Sequence, residues 1–464
     1  MFLQQKIHFI GIGGIGMSAI AKVLFQKGFK ISGSDQNENI IIKDLKKKGV
    51  KVFKDHSMSN VSDADIVVYS SAINKNNVEL KEAKKRKIPT FSRAMMLAEV
   101  MRLKSSITVA GSHGKTTTTS LIACIFESAG LDPTVINGGI INSIGANAKL
   151  GDGKFIIAEA DESDGSFTLL PSTIGVINNI DLEHLDFYKN IDELKKVFIK
   201  YAEKIPFYGF LCICNDDKNS KSIIKYIKSK PIITFGTSKS SNFKAQNIKT
   251  LQNSISSFDI CINFKSKKII KDIKVPLIGK HNVLNALCAF SVCYQLNIPI
   301  KKISEGLKKF SGVKRRFSIL NKNSKSLIID DYAHHPNEIK TTLESLKKIT
   351  ENKVVAIFEP HRYTRINGLL KEFLESFSKA NFIYILPIYS AGEKNINKIT
   401  NLQLEKIFKN KFKKNKIIKA VDNEKKLFED LKPLYKNGNN IIFLGAGLST
   451  NFAQRFSIYI KLNV

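Results

Sequence analysis

The chain of 464 residues has no tryptophan, and it has only six cysteines and 11 prolines. Cys212 and Cys214 stand one residue apart, which fits neither a zinc knuckle nor a C-x-x-C redox pair. Buried thiols are expected instead. No apolar run reaches the ~20 residues of a membrane-spanning helix, so no membrane insertion is expected. The opening "MFLQQKIHFIGIGGIGMSAIA" is apolar but carries no basic n-region. No signal peptide is expected there, and the reading is a cytoplasmic enzyme. Low-complexity linkers and short-period repeats are also missing.

Acidic residues are scarce. Asp and Glu total 41 against 73 Lys and Arg, giving a formal net charge of +32. Such an excess raises the question of nucleic acid. Lysine, however, is spread along the whole chain beside plentiful Ile and Asn. With tryptophan missing, that pattern matches a bias towards A/T-rich codons. Nothing interleaves aromatic and basic residues as an RNA-binding sheet requires. The expectation is a lysine-coated surface that attracts anionic substrates, with no specific nucleic-acid partner. The chain is 43% hydrophobic with 30 Phe, enough for a large core. At ~150 residues per domain, its length suggests about three domains.

Three blocks of alternating strand and helix follow one another. In the first, residues 1–104, "KIHFIGIGG" reads as a buried strand entering a glycine turn. "MSAIAKVLFQKG" reads as a helix closed by Gly28, and "KISGSD" and "ADIVVYSSAI" as further strands. In the second, 105–316, Ile107 to Ala110 is a strand and Thr116 to Ser128 a helix with one apolar face. "KFIIAEADESD" and "TIGVINNIDLEHLD" are strands ending in acidic loops, and "GKHNVLNALCAFSVCYQLN" is a helix. In the third, 317–464, "SLIIDDYAHHPNEI", "KVVAIFEPHRYTR", "FIYILPIYSAGE" and "NIIFLGAGLST" repeat one grammar of strand, polar loop and helix. Alternation of this kind predicts α/β domains on parallel sheets. Open sheets of this type bind ligands at the carboxyl ends of their strands.

Four constellations carry chemistry. Gly11, Gly13 and Gly16 satisfy G-x-G-x-x-G between a strand and a helix, with Asp35 after the next strand. Glycines admit a pyrophosphate to the backbone, and the helix N-terminus supplies partial positive charge. The carboxylate can hold a ribose hydroxyl. The second is "VAGSHGKTTTTSL". Only Ser112 and His113 separate Gly111 from Gly114, two fewer residues than in a Walker loop. Backbone N–H groups of Gly111 to Thr117 would wrap phosphates, Lys115 would bridge the outer ones, and Thr116 would offer a hydroxyl to Mg²⁺. Four successive threonines are poor helix interior, which suggests that some are employed. The third is acidic: Glu159, Asp161, Glu162 and Asp164, then Asp181, Glu183, His184 and Asp186. Carboxylates suit Mg²⁺, and a neutral imidazole can join them. The fourth is basic: Lys314, Arg315, Arg316, then Asp331, Tyr332, His334, His335, then His361, Arg362 and Arg365. Arginine grips carboxylate or phosphate bidentately, so its clustering in a lysine-preferring chain is informative.

Taken together and in this order, "HFIGIGGIGMSAIA", "SGSD", "SSAI", "GSHGKTTTTSL", "AEADESDGSF", "NNIDLEHLD", "GKHNVLNALCA", "GVKRRF", "DDYAHHP" and "EPHRYTR" resemble the Mur ligase family of peptidoglycan synthesis. The resemblance spans essentially the whole chain. It implies an N-terminal Rossmann-like UDP-binding domain, a central P-loop-type ATPase and a C-terminal Rossmann-like α/β domain. It implies ATP and Mg²⁺ as cofactors, and UDP-N-acetylmuramate and L-alanine as substrates of an amide-forming ligase. A monomer or weak homodimer is expected. Carried over by motif, the UDP sugar would meet Gly11, Gly13, Gly14, Ile15, Gly16, Met17, Ser18, Asp35, Ser70 and Ser71. ATP would meet Gly111, Ser112, His113, Gly114, Lys115, Thr116 and Thr117, with His281 and Asn282 at the adenine, Arg316 at the phosphates and Asp331 at the ribose. Thr116, Glu159 and His184 would ligate magnesium, and His361, Arg362 and Arg365 would face the amino acid. Lys115, His184, His361, Arg362 and Arg365 are the catalytic candidates.

Two positions depart from the family pattern. Ser112 replaces the usual Thr of the ATP loop, keeping a hydroxyl, and Leu448 stands where the last strand usually ends Gly-Ala-Gly-Asp. Three other readings explain less. A murein-recycling ligase, joining the same sugar to a tripeptide, usually has a poorer first glycine motif. A folate polyglutamate ligase would lack the first block. An NAD-dependent dehydrogenase would leave "GSHGKTTTTSL" unexplained.

Overall fold

The computed structural model describes residues 5–70, 72–102, 104–183, 187–251, 255–264, 266–393, 395 and 399–463. Two candidate site residues, Ser71 and His184, lie outside the described residues. The chain divides into two compact units. One comprises Met1–Ile248, Ser257–Pro276 and Asn282–Ser311, and the other Lys249–Ser256, Leu277–His281 and Gly312–Val464.

The first unit opens with a five-stranded parallel sheet: β1 (Lys6–Ile10), β2 (Lys30–Asp35), β3 (Lys51–Lys54), β4 (Ile66–Tyr69) and β5 (Thr90–Ser92). Its order is β3-β2-β1-β4-β5. The strand order therefore reverses beside β1, and the loop leaving β1 sits at the switch point where such sheets bind ligands. Ile7, Phe9 and Ile10 are all buried, because helices cover both faces of a parallel sheet and leave it no polar side. One of those helices, Ile15–Gln26, buries Met17, Ala19, Ile20, Ala21, Val23 and Leu24.

The same unit carries the body of a ten-stranded sheet. Its strands are β6 (Ser105–Ala110), β7 (Thr134–Ile141), β8 (Ala146–Lys149), β9 (Phe155–Glu159), β10 (Ile174–Ile177), β11 (Phe210–Cys214), β12 (Ile232–Gly236), β13 (Phe243–Leu251), β14 (Ile255–Phe264) and β15 (Ser266–Val275). They run in the order β15-β14-β13-β12-β11-β10-β6-β9-β7-β8. β6 lies parallel between β9 and β10, so the loops leaving these three strands emerge side by side. The strand expected in "TIGVINNIDLEHLD" ends at Ile177 and gives way to a loop, where Asn178 Nδ2 donates to Thr118 Oγ1 of the Lys115–Ser128 helix at 3.0 Å. Cys212 and Cys214 are buried on β11, and Cys288 and Cys293 are buried on the Lys280–Gln295 helix.

The second unit holds a six-stranded sheet: β16 (Ser318–Lys322), β17 (Leu327–Asp331), β18 (Val354–Phe358), β19 (Phe382–Ile385), β20 (Ile417–Ala420) and β21 (Asn440–Leu444), in the order β16-β17-β21-β18-β19-β20. β16 is antiparallel to β17, and the other pairs are parallel. Ile329, Ala356, Phe358, Ile442 and Leu444 point into one core, and Ile328, Val355, Ile357, Ile441 and Phe443 into another. This is period-two alternation with both faces apolar, as in a doubly wound domain. All three blocks read from the sequence are thus α/β.

Candidate active site

The loop leaving β1 is held from two sides. Gly11 and Ile12 N–H groups donate to Ser34 O at 2.8 and 3.1 Å. Asp35 Oδ2 accepts from Gly13 N at 2.9 Å, and its Oδ1 from Asn37 N at 3.0 Å. A Cβ at Gly13 would fall 2.8 Å from Asp35 Oδ2 and from Ile42 Cδ1, so only glycine fits there. Met17 and Ser18 are buried beneath the loop. Ser70 lies at the end of β4, its N–H donating to Ile10 O at 3.4 Å. The helix that follows has Gly14 as a cap with no side-chain hydrogen bond and no acid in its first turn. Such a terminus presents unsatisfied N–H groups and partial positive charge, which suits a phosphate.

The shortened loop leaving β6 is fastened to the loop leaving β10. Ser112 N donates to Asn179 O at 3.2 Å, Ser112 Oγ to Asp181 O at 3.0 Å, and Asp181 N returns a bond to Ser112 Oγ at 2.8 Å. His113 N donates to Asn179 Oδ1 at 2.8 Å, and its ring Nε2 lies 3.0 Å from Asp181 Oδ2. A hydroxyl is what position 112 requires, so serine serves where the family pattern has threonine. Gly111 and Gly114 take φ of +132° and +78°, and a Cβ at Gly114 would fall 2.5 Å from Asn285 Oδ1. Asn285 also accepts from Thr118 Oγ1 at 3.3 Å and donates to Asn282 Oδ1 at 3.2 Å. The candidate Asn282 is thereby connected to the shortened loop. Its neighbour His281 lies in the second unit, beside Gly279.

Lys115 Nζ donates to Gly111 O at 2.7 Å, to Ser112 O at 3.2 Å and to Glu162 Oε2 at 2.8 Å. Burial opposes its charge, but the carboxylates of Glu162, Asp161 and Glu159 outweigh burial and hold its pKa above the ordinary value. Burial pushes Glu162 up to about 7 against the pull of Lys115. Thr116 Oγ1 donates to Glu159 Oε2 at 3.0 Å, which also accepts from Gly138 N at 2.9 Å. Thr116 and Thr118 are therefore both employed, Thr117 and Thr119 are buried, and the helix starts at Lys115.

In the second unit, three loops meet at the carboxyl ends of β17, β21 and β18. Asp331 accepts from Phe317 N and Ala333 N, both at 2.7 Å, and burial pushes its carboxyl up to about 6. Arg316 Nη1 lies 3.7 Å from Glu338 Oε1. The guanidinium groups of Arg315 and Arg316 lie 4.6 and 5.1 Å from the Tyr332 ring. His361 stacks on Tyr389 at 5.4 Å and meets Arg365 Nη1 at 3.4 Å. Burial first, then His334 and the nearby arginines, push His361 down to about 3, so it is a neutral imidazole at physiological pH. Arg362 takes φ of +68° and lies 3.9 Å from Glu393 Oε1.

Comparison with known proteins decides the family. The Mur ligase family, catalytic domain, matches residues 6–105; the Mur ligase middle domain matches 109–293; the Mur ligase, glutamate ligase domain, matches 315–447. The UDP-N-acetylmuramate–L-alanine ligase of Rickettsia bellii is 47% identical over 460 residues, covering 97% of this chain and 95% of that one. The chain belongs to the Mur ligase family. Among solved structures, this Mur ligase is similar to the UDP-N-acetylmuramate-alanine ligase of Thermotoga maritima. The TM-score is 0.83 at 28% identity, over 99% of this chain and 100% of that one. A murein peptide ligase from Psychrobacter arcticus shares the fold with a TM-score of 0.73 at 23% identity, over 99% of each chain.

Several residues that shape the Mur ligase loops were not singled out by sequence reasoning. Asn178, Asn179 and Asn285 do much of the fastening around the shortened loop and the helix behind it. "NNID" had signalled its acids, and its two amides read as ordinary loop residues. Glu359 was passed over as part of "EPHR". It is buried at the end of β18, and its two oxygens accept from Leu448 N at 2.8 Å and from Ser449 N. A Cβ at Gly447 would fall 2.1 Å from Glu359 Oε1. The acid that Leu448 does not supply to this turn thus comes from the neighbouring strand.

Proposed function

We propose that this Mur ligase joins L-alanine to the lactyl carboxylate of UDP-N-acetylmuramate, at the expense of ATP. The reading rests on 47% identity to an L-alanine ligase over 97% of the chain, together with a built phosphate loop. We take residues 1–104 as the UDP-sugar domain, 105–316 as the ATP domain and 317–464 as the domain serving the amino acid.

A carboxylate is a poor acyl donor, so ATP first phosphorylates it, and the amine of L-alanine then attacks the acyl phosphate. Phosphate leaves and an amide remains. Lys115, kept charged by its acidic neighbours, neutralises the migrating phosphoryl group. The N–H groups of residues 111–117 wrap the phosphates. The oxygens of Thr116 and Glu159, 3.0 Å apart, form a donor set suited to a hard divalent cation. With His184 they would hold magnesium, which supplies positive charge against the phosphates. Neutral His361, with Arg362 and Arg365, suits the amino acid and the developing oxyanion. The sugar diphosphate meets the Gly11–Gly16 loop and Ser70, with Asp35 shaping that loop. No helix among the described residues is long and apolar enough to cross a membrane.

The test is phosphate release with ATP, Mg²⁺ and UDP-N-acetylmuramate, comparing L-alanine with the recycling tripeptide L-Ala-γ-D-Glu-meso-diaminopimelate. Release that requires both sugar and L-alanine is expected. Release with the tripeptide alone would make the protein a recycling ligase instead.

A further inference from the structure

Arg93 has no place in the reaction as described so far. It opens the Arg93–Met101 helix, behind the cap Ser92, yet its side chain leaves that helix and reaches two loops. On one side its Nη1 lies 2.9 Å from where a Cβ on Gly16 would stand, so the guanidinium packs directly against that glycine. On the other side its Nη2 donates to Asp161 Oδ2 at 3.0 Å. Gly16 belongs to the β1 loop, which the proposed function gives to UDP. Asp161 lies between Glu159 and Glu162, which meet Thr116 and Lys115 in the ATP loop.

The placement is electrostatically unusual. A cation beside the first turn of a helix faces its positive end, which is unfavourable unless an anion sits between them or close by. The Ile15–Gln26 helix has no acid in its first turn. Asp161, reaching from another sheet, supplies the counter-charge. A diphosphate on the Gly11–Gly16 loop would supply a stronger one, because arginine binds phosphate oxygens bidentately. The frame around the pair is fixed. Asn147 Nδ2 on β8 donates to Ile15 O at 2.6 Å and to Ser18 Oγ at 3.2 Å, and Lys22 Nζ donates to Asn147 Oδ1 at 3.4 Å. A change of partner by Arg93 therefore needs only side-chain motion.

We propose that Arg93 couples the two nucleotide sites: it contacts the sugar diphosphate and, in doing so, releases Asp161 to the acidic loop of the ATP site. The inference rests on the reading that the first glycine loop takes UDP. By linkage, whatever Asp161 withholds from UDP binding, UDP withholds from the Arg93–Asp161 pair, and the two effects must be equal.

Isothermal titration of UDP into the full chain tests this with Arg93→Ala, Arg93→Lys, Asp161→Asn and the Arg93→Ala/Asp161→Asn double variant, each checked for an unchanged melting temperature. Arg93→Ala should weaken UDP about tenfold, as loss of a charge-assisted contact does, and Arg93→Lys should restore part of that. Asp161→Asn should tighten UDP several-fold, and should change nothing once Arg93 is gone. In turnover assays the ATP KM of the wild type should fall as the UDP-sugar concentration rises, and that dependence should vanish in Arg93→Ala, because Asp161 is then free at every sugar concentration; a merely structural role would leave UDP affinity alone. UDP binding that is unchanged in Arg93→Ala overturns the proposal, as does an Asp161→Asn effect that persists without Arg93. Wild-type protein that fails to bind UDP overturns the UDP reading of the first loop along with it.

Discussion

A single ammonium group carries more of the candidate site than any other residue. Lys115 Nζ donates to two carbonyls of its own loop and to both carboxylate oxygens of buried Glu162. Its charge is secured by Glu162, Asp161 and Glu159 together. Lys115→Ala should therefore abolish turnover, by about 10³-fold or more, as loss of a preorganised charge does. UDP affinity measured by titration should stay within about twofold, because the glycine loop proposed to take UDP lies on a different sheet. Joint loss of both would refute separate sites. The residue scale is also where sequence reasoning was most selective. Residues with chemical character were found: Lys115, Thr116, Glu159, Asp331, His361 and the arginines. Amides were not, because Asn178, Asn179 and Asn285 signal nothing until their partners are in place. Glu359 was missed for the same reason, since its role is to accept two backbone N–H groups from a loop about 90 residues away.

At the scale of the element, the strands and helices that flank the motifs follow from pattern. Apolar runs such as "KIHFI" and "SSITVA" became buried parallel strands, because covered sheets demand uninterrupted apolar residues. Element ends were less legible. β10 stops at Ile177, and nothing in "VINNID" marks that residue, because the next side chain, Asn178, finds its partner in Thr118 of a helix 60 residues earlier. The first sheet also contains a buried cluster outside the site. Glu79, at the start of the Val78–Lys85 helix, accepts from Ser34 Oγ at 2.5 Å and Asn60 Nδ2 at 2.6 Å. It faces His56 Nδ1 at 3.0 Å and His8 Nε2 at 3.7 Å. Burial raises its pKa, but His8, Ser34 and Asn60 together bring it down to about 2. A depressed carboxyl stabilises the fold above its unfolded pKa, near 4.5, and that contribution is lost as pH falls towards 2. Glu79→Gln should cost about 2 kcal/mol at neutral pH and flatten the acid limb of denaturant-derived stability between those values. An acid limb identical to wild type would remove Glu79 from the account.

The whole molecule has a lysine-rich exterior and thiols kept inside. Among its six cysteines, Cys124, Cys212, Cys214, Cys288 and Cys293 are buried and Cys261 is half-buried. Burial also raises the thiol pKa of Cys124 and Cys214 to about 11. Only a thiolate reacts, so an aromatic disulfide reagent should titrate about one thiol quickly in the native protein and all six in guanidinium chloride. Rapid modification of several thiols at native pH would contradict the packing around β11 and the Lys280–Gln295 helix. The order of the large sheet has a further consequence, for the timing of folding. β6 receives β9 on one side and β10 on the other, and the strands bring loops from positions 111, 159 and 178 to one place. Each pairing closes a long stretch of chain, and such non-local contacts form late. A nascent chain that has made the lysine loop but has not seated both neighbours of β6 has the grip without its acids. On the proposed function, such a chain would lack the acids that secure the Lys115 charge and should hydrolyse no ATP until both neighbours of β6 are in place.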